Sequence, residues 1–133
     1  MAAPKFFVTT PIYYVNAPVH LGHAYASTAC DVLARWRRLQ GDEVFFLTGL
    51  DEHGGNVEKV AREHGTTPQA WVDKMAVDDR EFFKQIGISF DDFIRTTEGR
   101  HRKATEAFWK KVAGEKAPDG KDNIYKGMYE GWY

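Results

Sequence analysis

Hydrophobic and polar positions along the chain switch between a strand period and a helix period. Lys5 to Thr10 is a short β-forming run carrying Phe6, Phe7 and Val8, as a buried strand requires, and Pro11 stops it. Residues 11–22 are punctuated by Pro11, Asn16, Pro18 and Gly22 and read as a loop. A helix is predicted from His23 to Gln40, because Ala29, Val32, Leu33 and Trp36 fall at i, i+3, i+4 and i+7, and Gly41 suits its C′ position. Glu43 to Thr48 is a second strand with a continuous apolar run, followed by a loop over 49–54. Asn56 to His64 reads as a short helix closed by Gly65. Thr67 and Pro68 open a longer helix to about Ile86 whose inward face uses Trp71, Met75, Phe82 and Ile86. Phe93 to Thr96 is a third strand. Glu98 to Val112 is a helix with Ala104, Phe108 and Val112 inward. Residues 117–123 connect to a strand-like aromatic segment, Ile124 to Tyr133.

This order of strands and helices predicts an α/β fold: a Rossmann-like parallel sheet with flanking helices. We expect residues 1–116 to form the first half of a nucleotide-binding catalytic domain and 117–133 a connector and the start of an inserted domain. Trp132 and Tyr133 are large apolar residues at the last two positions, so a fragment or one half of a split enzyme is expected.

Composition narrows the class. Eighteen basic and nineteen acidic residues leave a formal net charge of -1, so no broad positive field announces a DNA-binding protein. One cysteine, Cys30, excludes an internal disulfide and fits a reducing, cytoplasmic setting. No apolar run approaches the ~18 residues of a membrane span, and no signal peptide is evident.

Three constellations carry chemistry. His20-Leu21-Gly22-His23 stands where the first strand hands over to the first helix, the edge at which open α/β sheets bind ligands. Two imidazoles three apart at a helix start suit a phosphate chain, and Gly22 leaves room for a nucleotide against the backbone. The bland alternative is that His20 packs in the loop and His23 caps the helix. Thr48-Gly49-Leu50-Asp51-Glu52-His53-Gly54 follows the second strand, so it lies on the same edge. There Asp51 suits an ammonium group, unless Asp51 and Glu52 merely cap the next helix. Pro11-Ile12-Tyr13-Tyr14 forms either core or the wall of a pocket. Cys30 reads as a small buried residue, and the arginine-rich helix faces as solvated surface. One cysteine and five unspaced histidines support no zinc site.

Taken together, Thr9 to Ala17, His20 to Tyr25, Thr48 to Gly54, Phe93 to Thr97 and Tyr129 to Tyr133 resemble class I aminoacyl-tRNA synthetases, specifically the methionine enzymes. The resemblance runs in order through nearly the whole chain. It implies activation of methionine with ATP to methionyl-adenylate, with magnesium accompanying ATP, and transfer to tRNA(Met). It implies His20 and His23 as catalytic residues. The ATP contacts would be Tyr14, Asn16, His20, Gly22 and His23, and the methionine contacts Pro11, Ile12, Tyr14 and Asp51. The partners would be methionine, ATP, tRNA and the remainder of the synthetase, with no membrane and no DNA. Three departures stand out. Val19, not proline, precedes His20; Asn56 stands where relatives often have lysine; and the family's lysine-rich second ATP loop is missing. The chain alone is therefore expected to be inactive or nearly so. Another H-x-G-H enzyme, either a different class I synthetase or a nucleotidyltransferase, is the first alternative. A non-catalytic synthetase-derived binding module is the second.

Overall fold

The computed structural model describes residues 2–131, in the order β1 Lys5–Thr9, β2 Tyr13–Tyr14, α1 Leu21–Leu39, β3 Glu43–Asp51, α2 Gly55–Glu63, α3 Pro68–Gln85, β4 Asp92–Arg95 and α4 Gly99–Gly114. All strand pairs are parallel. Leu47 pairs with Thr9 on one side and Asp92 on the other, and Leu50 likewise with Tyr13 and Arg95. So β3 is the central strand, with β1 and then β2 along one edge and β4 along the other. The expected parallel α/β architecture is what forms.

Both crossovers, β1–α1–β3 and β3–α2–α3–β4, step in the same direction across the sheet, so right-handed connections deliver their helices to one face. That face carries Phe6, Val44, Phe46, Thr48, Leu50 and Phe93. Arg37 of α1 lies 4.7 Å over the Phe6 ring and Arg80 of α3 lies 4.8 Å over the Phe93 ring. The core gathers Val15, Phe46, Leu50, Val57, Val72, Met75 and Phe83, all nearly inaccessible. On the opposite face Phe7 and Phe45 stack with ring centroids 5.8 Å apart and stay 62% and 46% exposed.

Several elements differ from expectation. The residue 11–22 loop contains the two-residue strand β2, too short to leave a period. β3 runs on to Asp51 because β2 and β4 supply it with hydrogen-bonding partners past Thr48. The predicted inner face of α1 is wrong: Ala29, Val32, Leu33 and Trp36 face out, Trp36 with half its surface exposed. The buried stripe is Ser27, Asp31 and Ala34. It is polar because α1 is anchored by charge. Asp31 accepts hydrogen bonds from the Ser89 backbone N–H (2.7 Å), the Ser89 hydroxyl (2.5 Å) and Arg35 Nε (2.6 Å). Arg38 donates to Ser89 Oγ and Asp91, both at 2.8 Å. Burial pushes the Asp31 carboxyl up, but Ser89 and Arg35 outweigh it and hold it below its ordinary value. In α3, Trp71 and Met75 are buried as expected, Phe82 is partly buried, and Ile86 is exposed while Phe83 takes the core position.

Residues 99–131 cluster separately from residues 2–98. Within them α4 buries none of its residues, so the expected inward set Ala104, Phe108 and Val112 is not an inner face. A tight turn follows, with Ala117 N–H donating to Lys121 O at 2.8 Å and Lys116 paired with Asp122. The expected strand from Ile124 does not form over residues 124–131. Trp132 and Tyr133 lie outside the described residues.

Candidate active site

The two motif loops leave the sheet at the carboxyl ends of β1 and β3, and β2 ties them together. Tyr13 is buried with its ring 4.6 Å from that of His23. Its hydroxyl bonds with Ser27 Oγ (2.9 Å) and donates to His23 O (3.3 Å). Burial pushes the Tyr13 phenol up, so it stays protonated as a donor. The next residue, Tyr14, pairs in register with Asp51. Its hydroxyl lies where a side chain at Gly54 would begin, 2.4 Å from an ideal Cβ, and Gly54 has φ +128°, so glycine alone fits that turn. One dipeptide therefore touches the histidine helix on the helical face of the sheet and the Asp51 loop on the other.

The segment between β2 and α1 is held from α3. Trp71 Nε1 donates to Val15 O at 2.8 Å, a fully buried bond, and the buried Asp79 accepts from the backbone N–H of Val19, next to His20. A hydrogen bond between the Thr10 and Thr48 hydroxyls at 2.7 Å ties the chain just past β1 to β3. Pro11, Ile12 and Asn16 are exposed at the rim, Ile12 by 44%.

His20, not His23, is the N-cap of α1. Its Nδ1 accepts from Gly22 N–H at 3.1 Å, while His23 Nδ1 accepts from His20 N–H at 3.3 Å, a reciprocal capping box built from imidazoles. The rings stack with centroids 3.9 Å apart. Gly22 admits this arrangement, since a Cβ there would meet His20 Cε1 at 3.0 Å. A ring whose Nδ1 accepts a hydrogen bond carries its proton on Nε2 when neutral. Both imidazoles are thus set to donate through Nε2. Burial, with His20 beside it, lowers the His23 pKa below its ordinary 6.5 and favours this neutral form. The helix N-terminus adds its partial positive charge at the same place. The bland reading of the motif as packing and capping is half right: capping is what orients the two donors.

Asp51, the last residue of β3, is partly exposed and its carboxylate accepts no hydrogen bond among the described residues. It is not a helix cap, because the N-cap of α2 is Gly54 without a side-chain bond. Glu52, offered by the sequence only as a possible helix cap, is instead fully buried. It accepts from Arg95 Nε at 2.6 Å and from the Thr97 hydroxyl, and its N–H donates to Thr96 Oγ1 at 3.0 Å. Charge alternation along the chain does not mark such a pair, since Arg95 is 43 residues away. Cys30 is partly buried with its thiol pushed up by burial and directed to Thr9 O, an inert role.

The family model described as tRNA synthetases class I (M) matches residues 6–133. The methionine--tRNA ligase of Rickettsia prowazekii (strain Madrid E) is 52% identical over 128 residues, 96% of this chain and 24% of that protein. Its counterpart in Streptococcus pneumoniae serotype 4 is 47% identical over 133 residues, 100% of this chain and 19% of that protein. The solved Mycobacterium tuberculosis methionyl-tRNA synthetase in complex with methionyl-adenylate superimposes with a TM-score of 0.81 at 39% identity, covering 84% of this chain and 22% of that one. The chain thus spans about a fifth to a quarter of the length of these relatives. With the family model covering all but the first five residues, the chain belongs to the class I tRNA synthetases of the methionine type.

Proposed function

We propose that this chain supplies the ATP-gripping loop and one wall of the methionine pocket in a methionine--tRNA ligase. The observation that carries the reading is the pair of imidazoles whose Nδ1 atoms are taken up by the helix cap, leaving Nε2 to donate at a helix N-terminus, joined through Tyr13-Tyr14 to a free carboxylate at the same rim. Relatives named as methionine--tRNA ligases, and one solved in complex with methionyl-adenylate, support it.

In this reading the Asp51 carboxylate holds the methionine ammonium, a charge-assisted contact that orients the substrate carboxylate. Tyr14, with Pro11 and Ile12 at the rim, lines the side-chain pocket, and Asn16 shapes the ATP loop. A methionine carboxylate oxygen attacks the α-phosphorus of ATP, the bond to pyrophosphate breaks, and methionyl-adenylate forms. No protein nucleophile takes part. His20 and His23 stabilise the charge growing on the phosphates by hydrogen bonds from Nε2. Since Nδ1 of each ring is occupied by the cap, they need no reorientation when ATP binds. A hydroxyl of the terminal adenosine of tRNA(Met) then attacks the carbonyl and AMP leaves.

Magnesium travels with ATP. Among the described residues no cluster of three or more His, Cys, Asp or Glu is gathered for a metal ion. No described helix is long and apolar enough to cross a membrane. The division into residues 1–116 and 117–133, a cytoplasmic location, and docking to the remainder of the synthetase are part of this proposal.

Methionine-dependent ATP–pyrophosphate exchange by the full-length enzyme tests the reading. His23→Ala is expected to lower the rate by about 10²–10³ with little change in methionine KM, as for loss of one transition-state donor. Asp51→Ala is expected to raise methionine KM above all. An unchanged rate in the first variant, or an unchanged methionine KM in the second, contradicts the assigned roles.

A further inference from the structure

Asp51 binds nothing within the described residues, yet the residue after it is among the most firmly held in the chain. The Glu52 side chain has no accessible surface. A carboxylate taken out of water at such a place costs several kcal/mol unless it is paired and hydrogen-bonded. Here both oxygens are satisfied, Oε1 by Arg95 Nε at 2.6 Å and Oε2 by the Thr97 hydroxyl. The same guanidinium donates through Nη2 to Asp73 of α3 at 2.6 Å. The backbone is tied as well, with Glu52 N–H on Thr96 Oγ1 at 3.0 Å and Leu50 in register with Arg95. Burial alone disfavours the Arg95 charge, but Glu52 and Asp73 outweigh it.

A buried ion pair is a poor way to gain stability, since an apolar pair of similar shape often does as well. What it supplies is a fixed position. Successive side chains of an extended segment point to opposite sides, so clamping Glu52 inward fixes its predecessor outward.

We propose that Glu52, held by Arg95 and Thr97, is a positioning residue that sets the Asp51 carboxylate for the α-ammonium of the amino acid. The inference rests on the reading of Asp51 given under Proposed function. It adds that affinity for the amino group is governed from β4 and the turn after it, by residues that never touch the substrate. The Arg95–Asp73 arm extends the clamp to α3, the helix that also pins Val15 and Val19 before the histidines.

The test is ATP–pyrophosphate exchange by the full-length enzyme carrying Glu52→Gln, Thr97→Val or Thr97→Ser, each alone and with Asp51→Ala. Glu52→Gln is expected to raise methionine KM about tenfold while ATP KM and kcat stay within about twofold. Thr97→Val should shift methionine KM in the same direction, and Thr97→Ser, which keeps the donor, should restore it. Should Glu52→Gln fail to fold, the Thr97 pair carries the same test. In the Asp51→Ala background neither Glu52→Gln nor Thr97→Val should add a further effect. A full effect that persists without Asp51, an equal rise in both KM values, or no rise at all overturns the proposal. If Asp51→Ala itself leaves methionine KM unchanged, the reading of Asp51 fails first and this inference falls with it. If only the Glu52 and Thr97 variants are silent, the inference fails and that reading stands.

Discussion

Asp79 is 4% exposed with no ion pair among the described residues, and burial, with Asp78 nearby, pushes its carboxyl up from 3.8 to about 6 against the smaller pull of the Val19 N–H and Lys74. Between those values the folded chain holds a proton that the unfolded chain has released. Stability from this group is therefore present below pH 3.8 and is lost as pH rises through about 6. Above that, folding must bury the charge, at about 3 kcal/mol. Asn at this position keeps an acceptor for Val19 N–H without the charge. Asp79→Asn is expected to melt above the wild type at pH 7.5, with the gap closing toward pH 4. Acid weakens both proteins through Asp31 and Asp73, whose carboxyls are held below their ordinary values, so the difference between the two melts is the quantity to follow. A gap that does not change with pH contradicts the account of Asp79. The cost is accepted where Asp79 holds the segment entering the histidine motif.

At the scale of elements, β1 is an open edge: among the described residues it pairs only with β3. Beside it Phe7 and Phe45 expose apolar rings. Such an edge templates association. The chain taken by itself is expected to self-associate with rising concentration in sedimentation velocity, and Phe7→Lys should reduce this. A wild-type chain that stays monomeric at high concentration contradicts the prediction. Much of this architecture was legible in the sequence. Phe6 to Val8 and Val44 to Leu47 are continuous apolar runs that mark the two strands, although β1 is not the buried strand expected and leaves Phe7 exposed, and Pro68 after Thr67 marks the start of α3, where Thr67 caps Ala70 N–H. Two features were not legible. The two tyrosines of β2 leave no period to read. The α1 face misled because periodicity counts apolar side chains, whereas this helix is anchored by Asp31 and Arg38 against Ser89 and Asp91, some fifty residues away.

At the scale of the whole molecule, a fold of consecutive same-handed crossovers places both chemistry-bearing loops at one rim of the sheet without long-range design. His20, His23 and Asp51 could be proposed from the sequence because their motifs lie toward the carboxyl ends of β1 and β3. The orientation of the imidazoles was not legible, because it depends on which ring nitrogen caps the helix. Nor was the Glu52–Arg95 clamp, whose partners are distant in sequence. The central claim is that the imidazole pair and the Asp51 carboxylate, reaching the same rim from the two faces of the sheet, hold opposite ends of one reacting assembly. A crystal structure of the full-length enzyme with methionine and a non-hydrolysable ATP analogue tests it most directly. The account predicts the methionine ammonium within about 3.2 Å of an Asp51 oxygen and the nucleotide phosphates at similar distance from Nε2 of His20 and His23. An ammonium bound elsewhere, or phosphates out of reach of both imidazoles, contradicts it.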